Sequence, residues 1–254
     1  MNEINQKLLK TQQDWQTKSY NDVLKGNEGS ISCAFSCGVS NKYLESDKKI
    51  MIVGQEAIGL TCKYDVWDLP NMQEWYIKYF ERQLRICKHG DISWNRSAFW
   101  QFMRKLNDEG YFPCWNNIEK VIRYKYGVAF DNHKFEKTDN GAEQEVFHVY
   151  ENEREALNRP CLDGKTLLQK EIEIAQPDIV VFVVGPHNPY YNAMELAFNL
   201  DENQLKDYYP TNERYITEVS DVLGLNIPTY WTYHPQFLSR KKYFDDVIKF
   251  IIKK

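Results

Sequence analysis

Glu56 and His234 each follow an apolar run, and both are residue types that hold or move protons. Ile50, Met51, Ile52 and Val53 stop at Gly54, with Gln55 and Glu56 directly after. Such a run reads as a strand buried on both faces that reaches a turn. Open α/β sheets bind ligands at the carboxyl ends of their strands. A carboxylate there is a candidate general base that orients a water, against the plainer reading of a solvated loop acid. The run Ile227 to Tyr233 ends in the same way at His234-Pro235. A histidine so placed can donate a hydrogen bond to a developing oxyanion, or serve as a hydrogen-bonded structural residue. Asn116 and Asn117 stand near the end of the apolar segment 111 to 118. An Asn amide both donates and accepts, so either could read the edge of an amide-like heterocycle; the bland alternative is a turn.

Other matches carry less. Asp163-Gly-Lys-Thr resembles the tail of a phosphate loop, but Arg159 stands where the first glycine belongs and no strand precedes it. No G-x-S-x-G is present. His89, His133, His148 and His187 are scattered without metal-ligand spacing. The six cysteines include no C-x-x-C pair, so buried free thiols are expected rather than a zinc or iron–sulfur set, and neither metal nor cofactor is expected.

The elements that must position these residues alternate between strands and helices. Residues 3 to 25 have amphipathic helical spacing up to Gly26, and 26 to 47 read as loop. A strand over 49 to 54 is followed by a helix opened by Asp68-Leu-Pro-Asn, with Met72, Tyr76, Phe80 and Leu84 on one face. Gly90 closes that helix. Ser97 can cap the next, in which Phe99, Phe102, Met103 and Leu106 share a face up to Gly110. Residues 131 to 160 are largely charged and amide side chains, read as a partly mobile surface insertion. A helix over 164 to 175 stops at Pro177, and Asp178-Ile-Val-Val-Phe-Val-Val-Gly is a buried strand. Residues 190 to 199 form a short helix. Periodicity does not decide between strand and helix over 214 to 223. Tyr243, Phe244, Val247, Ile248 and Ile251 make the last helix. This alternation predicts one α/β domain with a mostly parallel sheet sandwiched by helices.

The chain has 254 residues, 43% hydrophobic and 15% aromatic, enough for a sizeable core and for stacking on flat ligands. A net charge of −4 argues against non-specific coating of nucleic acid, which rests on many Lys and Arg contacts to phosphate. No apolar segment has signal or membrane-spanning character, so a cytoplasmic protein that does not engage a membrane is expected; a monomer is expected as well.

The order of the pieces resembles the uracil-DNA glycosylase superfamily. A strand ending in Gly54-Gln55-Glu56 is followed by aromatic helices, then Trp115-Asn116-Asn117, then Val184-Gly185-Pro186, then His234-Pro235-Gln236-Phe237-Leu238-Ser239. In that family the first motif often reads Gly-Gln-Asp-Pro-Tyr-His and the last His-Pro-Ser-Pro-Leu-Ser. The resemblance covers roughly residues 48 to 252. It implies a three-layer α/β/α sandwich on a central, mostly parallel four-stranded sheet, with 1 to 47 as a helical extension. It also implies hydrolysis of the bond between deoxyribose and uracil or a related base in DNA, after the base has left the stack. On that resemblance Glu56 orients the water and His234 hydrogen-bonds the departing base. Gly54, Gln55, Ala57 and Asn116 or Asn117 line the base pocket. Phe237 and Leu238 enter the duplex as a wedge, and Ser239, Arg240, Lys241 and Lys242 lie near phosphates. Glu replaces the family's Asp, Ala57-Ile58 stand where Pro-Tyr belongs, and Gln236-Phe237 replace Ser-Pro. These departures keep two other readings open: a non-catalytic nucleotide- or protein-binding member of the fold, and a hydrolase of free nucleosides or nucleotides.

Overall fold

The computed structural model describes residues 1–27, 31–56, 69–85, 97–124 and 146–253. The central sheet has five strands: β1 (Lys49–Glu56), β2 (Phe112–Glu119), β5 (Ile179–Phe182), β6 (Ile216–Glu218) and β7 (Thr229–Thr232). Their order is β2-β1-β5-β7-β6. The first four are parallel, and β6 runs antiparallel to β7 at the edge. The expected four strands are therefore joined by a fifth. Periodicity left 214 to 223 undecided because pairing of Thr217 with Trp231, not local pattern, makes β6 a strand. A small antiparallel pair, β3 (Arg123–Tyr124) with β4 (Val146–Phe147), stands apart from the main sheet.

Side chains alternate across the sheet with period two. Met51, Val53, Val180, Phe182 and Trp231 enter the core of one face; Ile50, Ile52, Ile179, Val181 and Tyr230 enter the other. Each fully buried Ile or Val contributes about 1.5–3 kcal/mol of transfer free energy. Both faces being apolar explains why the strand sequences are continuous apolar runs rather than alternating ones.

Helices cover both faces, an arrangement compatible with a three-layer sandwich. On the first lie α1 (Glu3–Trp15), α7 (Leu167–Ala175) and α8 (Tyr190–Ala197), through Leu8, Ile172 and Met194. On the second lie α5 (Ala98–Asp108), α9 (Pro235–Lys241) and α10 (Phe244–Ile252), through Phe102, Leu238 and Ile248. Between them α4 (Leu69–Leu84) gives Met72 and Tyr76 to the first core and Phe80 and Leu84 to the second. Short helices α2 (Asn21–Leu24) and α3 (Asn41–Glu45) complete the N-terminal part, and α6 (Glu151–Leu157) follows β4.

Local signals set several boundaries. Ser97 caps α5 by accepting from the Trp100 N–H at 3.4 Å, and Thr166 with Gln169 forms a capping box on α7. Gln176 ends α7 in the left-handed region (φ 48°) just before Pro177. The expected helix end at Gly90 lies outside the described residues, as do Cys62, Cys87, His89 and His133.

Three expectations need correction. The segment 31 to 40 is irregular, as expected of a loop, but almost wholly buried. Its Ile31, Cys33, Phe35, Cys37 and Val39 pack inward, and the N–H groups of Ser32 and Phe35 donate to the carbonyls of Ile122 and Lys120. Residues 146 to 160 are not a surface insertion. Glu153 pairs with Arg123, Arg154 donates to Glu119 at 2.6 Å, and Leu157 is buried. Glu153 and Arg154 are paired inside, while Glu151, Glu155 and Arg159 are exposed, a split that hydropathy alone cannot distinguish from uniform solvation. Residues 131–145 of that stretch lie outside the described residues. Finally, Cys33 is disulfide-bonded, whereas Cys37, Cys114 and Cys161 are free.

No helix among the described residues is long and apolar enough to cross a membrane.

Candidate active site at the carboxyl ends of the strands

From β1 the sheet grows in both directions, to β2 on one side and β5 on the other, so the chain reverses its winding at the carboxyl end of β1. That is where open α/β sheets place ligands. Gln55 bridges the gap there: its Nε2 donates to the Val184 carbonyl, beyond the end of β5, at 2.9 Å. Gly54 sits beside Asn117 in the parallel register. A Cβ at position 54 would meet Asn117 Oδ1 at 2.7 Å, and Phe99 Cε2 and Trp115 Nε1 at 3.5 Å. Glycine is required by this close approach, not by its backbone dihedrals.

The strand pleat separates the two asparagines. Asn117 shares a face with Trp115, whose Nε1–H donates to Asn117 Oδ1 at 2.9 Å. Because an indole only donates, this bond fixes the amide with its oxygen toward the tryptophan. Asn117 Nδ2 is buried without a hydrogen-bond partner among the described residues, a cost of about 1–3 kcal/mol if nothing accepts from it. Asn116 faces the opposite way. Its Nδ2 donates to Glu171 Oε2 at 2.9 Å and its Oδ1 accepts from Lys120, inside a buried network that Gln12 closes on Glu171 Oε1 at 2.7 Å. Asn116 is thus committed to joining β2, α1 and α7, and Asn117 is the amide on the Gly54 side.

Phe99 ties the ends of β1, β2 and β7 together. It stands in the first turn of α5, half-buried, with its ring 5.9 Å from Trp115 and 6.4 Å from the imidazole of His234, to which it is nearly parallel at 13°. Sequence reasoning placed Phe99 in the helix core stripe with Phe102, Met103 and Leu106. The helical spacing is the same; only its place in the first turn, beside the strand ends, sets it apart.

His234 lies two residues beyond β7 and is the N-cap of α9. Its Nδ1 accepts from the Gln236 N–H at 3.3 Å, so the neutral ring carries its proton on Nε2. Gly185, in the left-handed region at φ 73°, turns the chain beyond β5 against this residue: its N–H donates to Thr232 and its carbonyl accepts from Trp231 Nε1 at 3.1 Å. A Cβ at Gly185 would lie 4.0 Å from the backbone nitrogen of His234. The Val-Gly-Pro and His-Pro motifs are therefore neighbours.

The backbone of Glu56 is the last residue of β1, in register with Glu119. Ala57 lies outside the described residues. Phe237 is half-buried and stacked on Tyr233 at 4.1 Å, while Leu238 is fully buried against the second core. A leucine so placed packs α9 and is not presented to a duplex. Ser239, Arg240, Lys241 and Lys242 are exposed on and after α9, which begins at His234 and, at 1.5 Å per residue, carries them about 10 Å from it.

The described thiols offer no nucleophile near this cluster. Burial, then the Glu171 carboxylate, pushes the Cys37 thiol well up, and burial brings Cys114 up to about 12. A cavity of about 430 Å³ lies away from the cluster, between α6 and α8, and shares none of its residues.

No protein-family model matches the chain, and no curated protein matches it.

Proposed function

We propose that this chain is a uracil-DNA glycosylase-like hydrolase that cleaves the N-glycosidic bond of uracil or a related base in DNA. The observation that carries the reading is the meeting of Gly54, Asn117, Phe99 and His234 at the switch point of a mostly parallel sheet. In this reading the base stacks on the half-buried ring of Phe99, which stands near Gly54 and beside the imidazole of His234. Asn117 Nδ2 donates to a base carbonyl, and its Oδ1, with a second lone pair beyond that used by Trp115, accepts from the adjacent ring N–H. That donor–acceptor order fits uracil and mismatches cytosine, whose edge has the two roles reversed. His234 Nε2–H donates to the base oxygen that gathers charge as the bond to the sugar breaks. Glu56 orients the water that attacks the sugar carbon and takes its proton. Arg240, Lys241 and Lys242 contact phosphates without reading sequence.

The test is base release from oligonucleotides carrying a single uracil, with Glu56→Gln and His234→Asn as controls. Asn is a good helix N-cap, so the second variant removes the imidazole and keeps the cap of α9. Loss of one donor to a developing oxyanion costs about a hundred- to a thousandfold in kcat. Release by the parent chain that both variants retain would sink the reading. No release from any substrate, with saturable nucleotide binding, would favour a non-catalytic member of the fold.

A further inference from the structure

The cavity between α6 and α8 has an unbalanced charge. Glu151 and Glu155 on α6, Glu195 on α8 and Glu202 beyond it all line it. None of the four has an ion-pair partner among the described residues. Arg154, the lining cation among the described residues, is committed elsewhere: its Nε donates to Glu119 Oε1 at 2.6 Å and its Nη2 to the Val149 carbonyl at 3.1 Å. Glu195 is the decisive residue. It is 2% exposed, its Oε1 accepts from the Leu205 N–H at 3.0 Å, and its Oε2 has no partner among the described residues. A buried carboxylate oxygen without a donor is rare in folded proteins and costly unless a donor arrives.

The rest of the lining selects the donor. Tyr191, Leu196 and Leu200 supply an aromatic ring and apolar wall. A volume of about 430 Å³ suits a small organic molecule rather than a bare ion. Among the described residues no three His, Cys, Asp or Glu side chains converge as metal ligands. We infer that this cavity is a binding site for a small organic cation, a primary ammonium or guanidinium on a short apolar body. Its N–H groups donate to Glu195 Oε2 and to the carboxylates at the rim, and its body packs on Tyr191 and the two leucines. The inference is independent of the glycosylase reading, since the two sites share no residue.

Calorimetric titration of the full chain with benzylammonium and butylguanidinium, against benzyl alcohol and benzoate, tests it. The cations are expected to bind saturably and to raise the melting temperature; the neutral and anionic counterparts are not. Glu195→Gln keeps an acceptor for Leu205 and removes the charge, and is expected to weaken binding about tenfold or more. The double variant Glu151→Gln/Glu155→Gln, on an exposed helix face, leaves the buried carboxylate untouched and guards against a folding defect; it should also weaken the cations. Failure of both cations to bind, equal binding of benzyl alcohol, or unchanged affinity in both variants would overturn the assignment.

Discussion

The ring of Phe99 lies nearly parallel to the imidazole of His234, tilted by 13° with centroids 6.4 Å apart. One residue belongs to a helix following β1 and the other to the end of β7, so their alignment depends on the whole sheet between them. Stacking a base on an aromatic side chain is worth about 1–3 kcal/mol by alanine substitution. Phe99→Ala is therefore expected to lower kcat/KM for uracil release by about tenfold or more, with Phe99→Tyr close to the parent. Because Phe99 is only half-buried, its loss should leave the circular dichroism spectrum unchanged. A Phe99→Ala protein as active as the parent would remove Phe99 from the site.

Gly54→Ala forces a Cβ to within 2.7 Å of Asn117 Oδ1. The amide must move, and with it the bond from Trp115. Displacing a positioning group by about 1 Å can cost roughly a hundredfold in rate. The expected result is a loss of that order in base release, while the melting temperature shifts by a few degrees. Trp115→Phe frees the amide to flip and, on the proposed glycosylase reading, should narrow a preference for uracil over cytosine. Parallel assays on the two bases measure it.

The buried pair of Lys120 with Glu171, at 2.5 Å, sits among Gln12 and Asn116. Removing one partner leaves an uncompensated buried charge, which costs about 3–5 kcal/mol. Lys120→Met alone should therefore destabilise the fold strongly in urea titration. Lys120→Met with Glu171→Leu should recover a large part of that loss. A double variant less stable than the sum of the singles would show that the pair is not acting as a unit.

The raised thiols make a pH prediction. Burial holds Cys37 and Cys114 as neutral thiols in the fold, whereas in the unfolded chain they ionise near the ordinary thiol value of about 8.5. Their folded-state pKa lies above the unfolded one, so stability is full below about pH 8.5 and falls as pH rises toward the folded value. Iodoacetamide at pH 8 should label Cys161 in the native chain and reach Cys37 and Cys114 only after denaturation. Mass mapping of the labelled peptides decides.

Much of the scaffold was legible because the signals were local. Runs of four apolar side chains, Ile50 to Val53 before Gly54 and Ile179 to Phe182 before Val183, read as strands buried on both sides. The Ser97 and Thr166 caps, the steps of four in α4 and the stop at Pro177 each act within one turn. What stayed hidden depended on partners distant in sequence. Nothing local tells Asn116 from Asn117, because only the pleat assigns one to Glu171 and the other to Gly54. Glu153 and Arg154 read as solvated until Arg123 and Glu119 are brought to them. Phe99 has the spacing of a core residue, and only the turn after β7 reveals that it also lies beside His234.

The side chain of Gln12 reaches from the first helix to a carboxylate 159 residues later in the chain. The sheet begins at residue 49, and a domain boundary drawn there would look natural. Yet a chain trimmed to start at 48 would take away the amide that holds Glu171 Oε1 and expose Ile172 and Leu168 where Leu8 had covered them. The N-terminal helix is therefore a structural member of the domain, and a shortened protein should be recovered from cells as aggregate rather than as a smaller working unit.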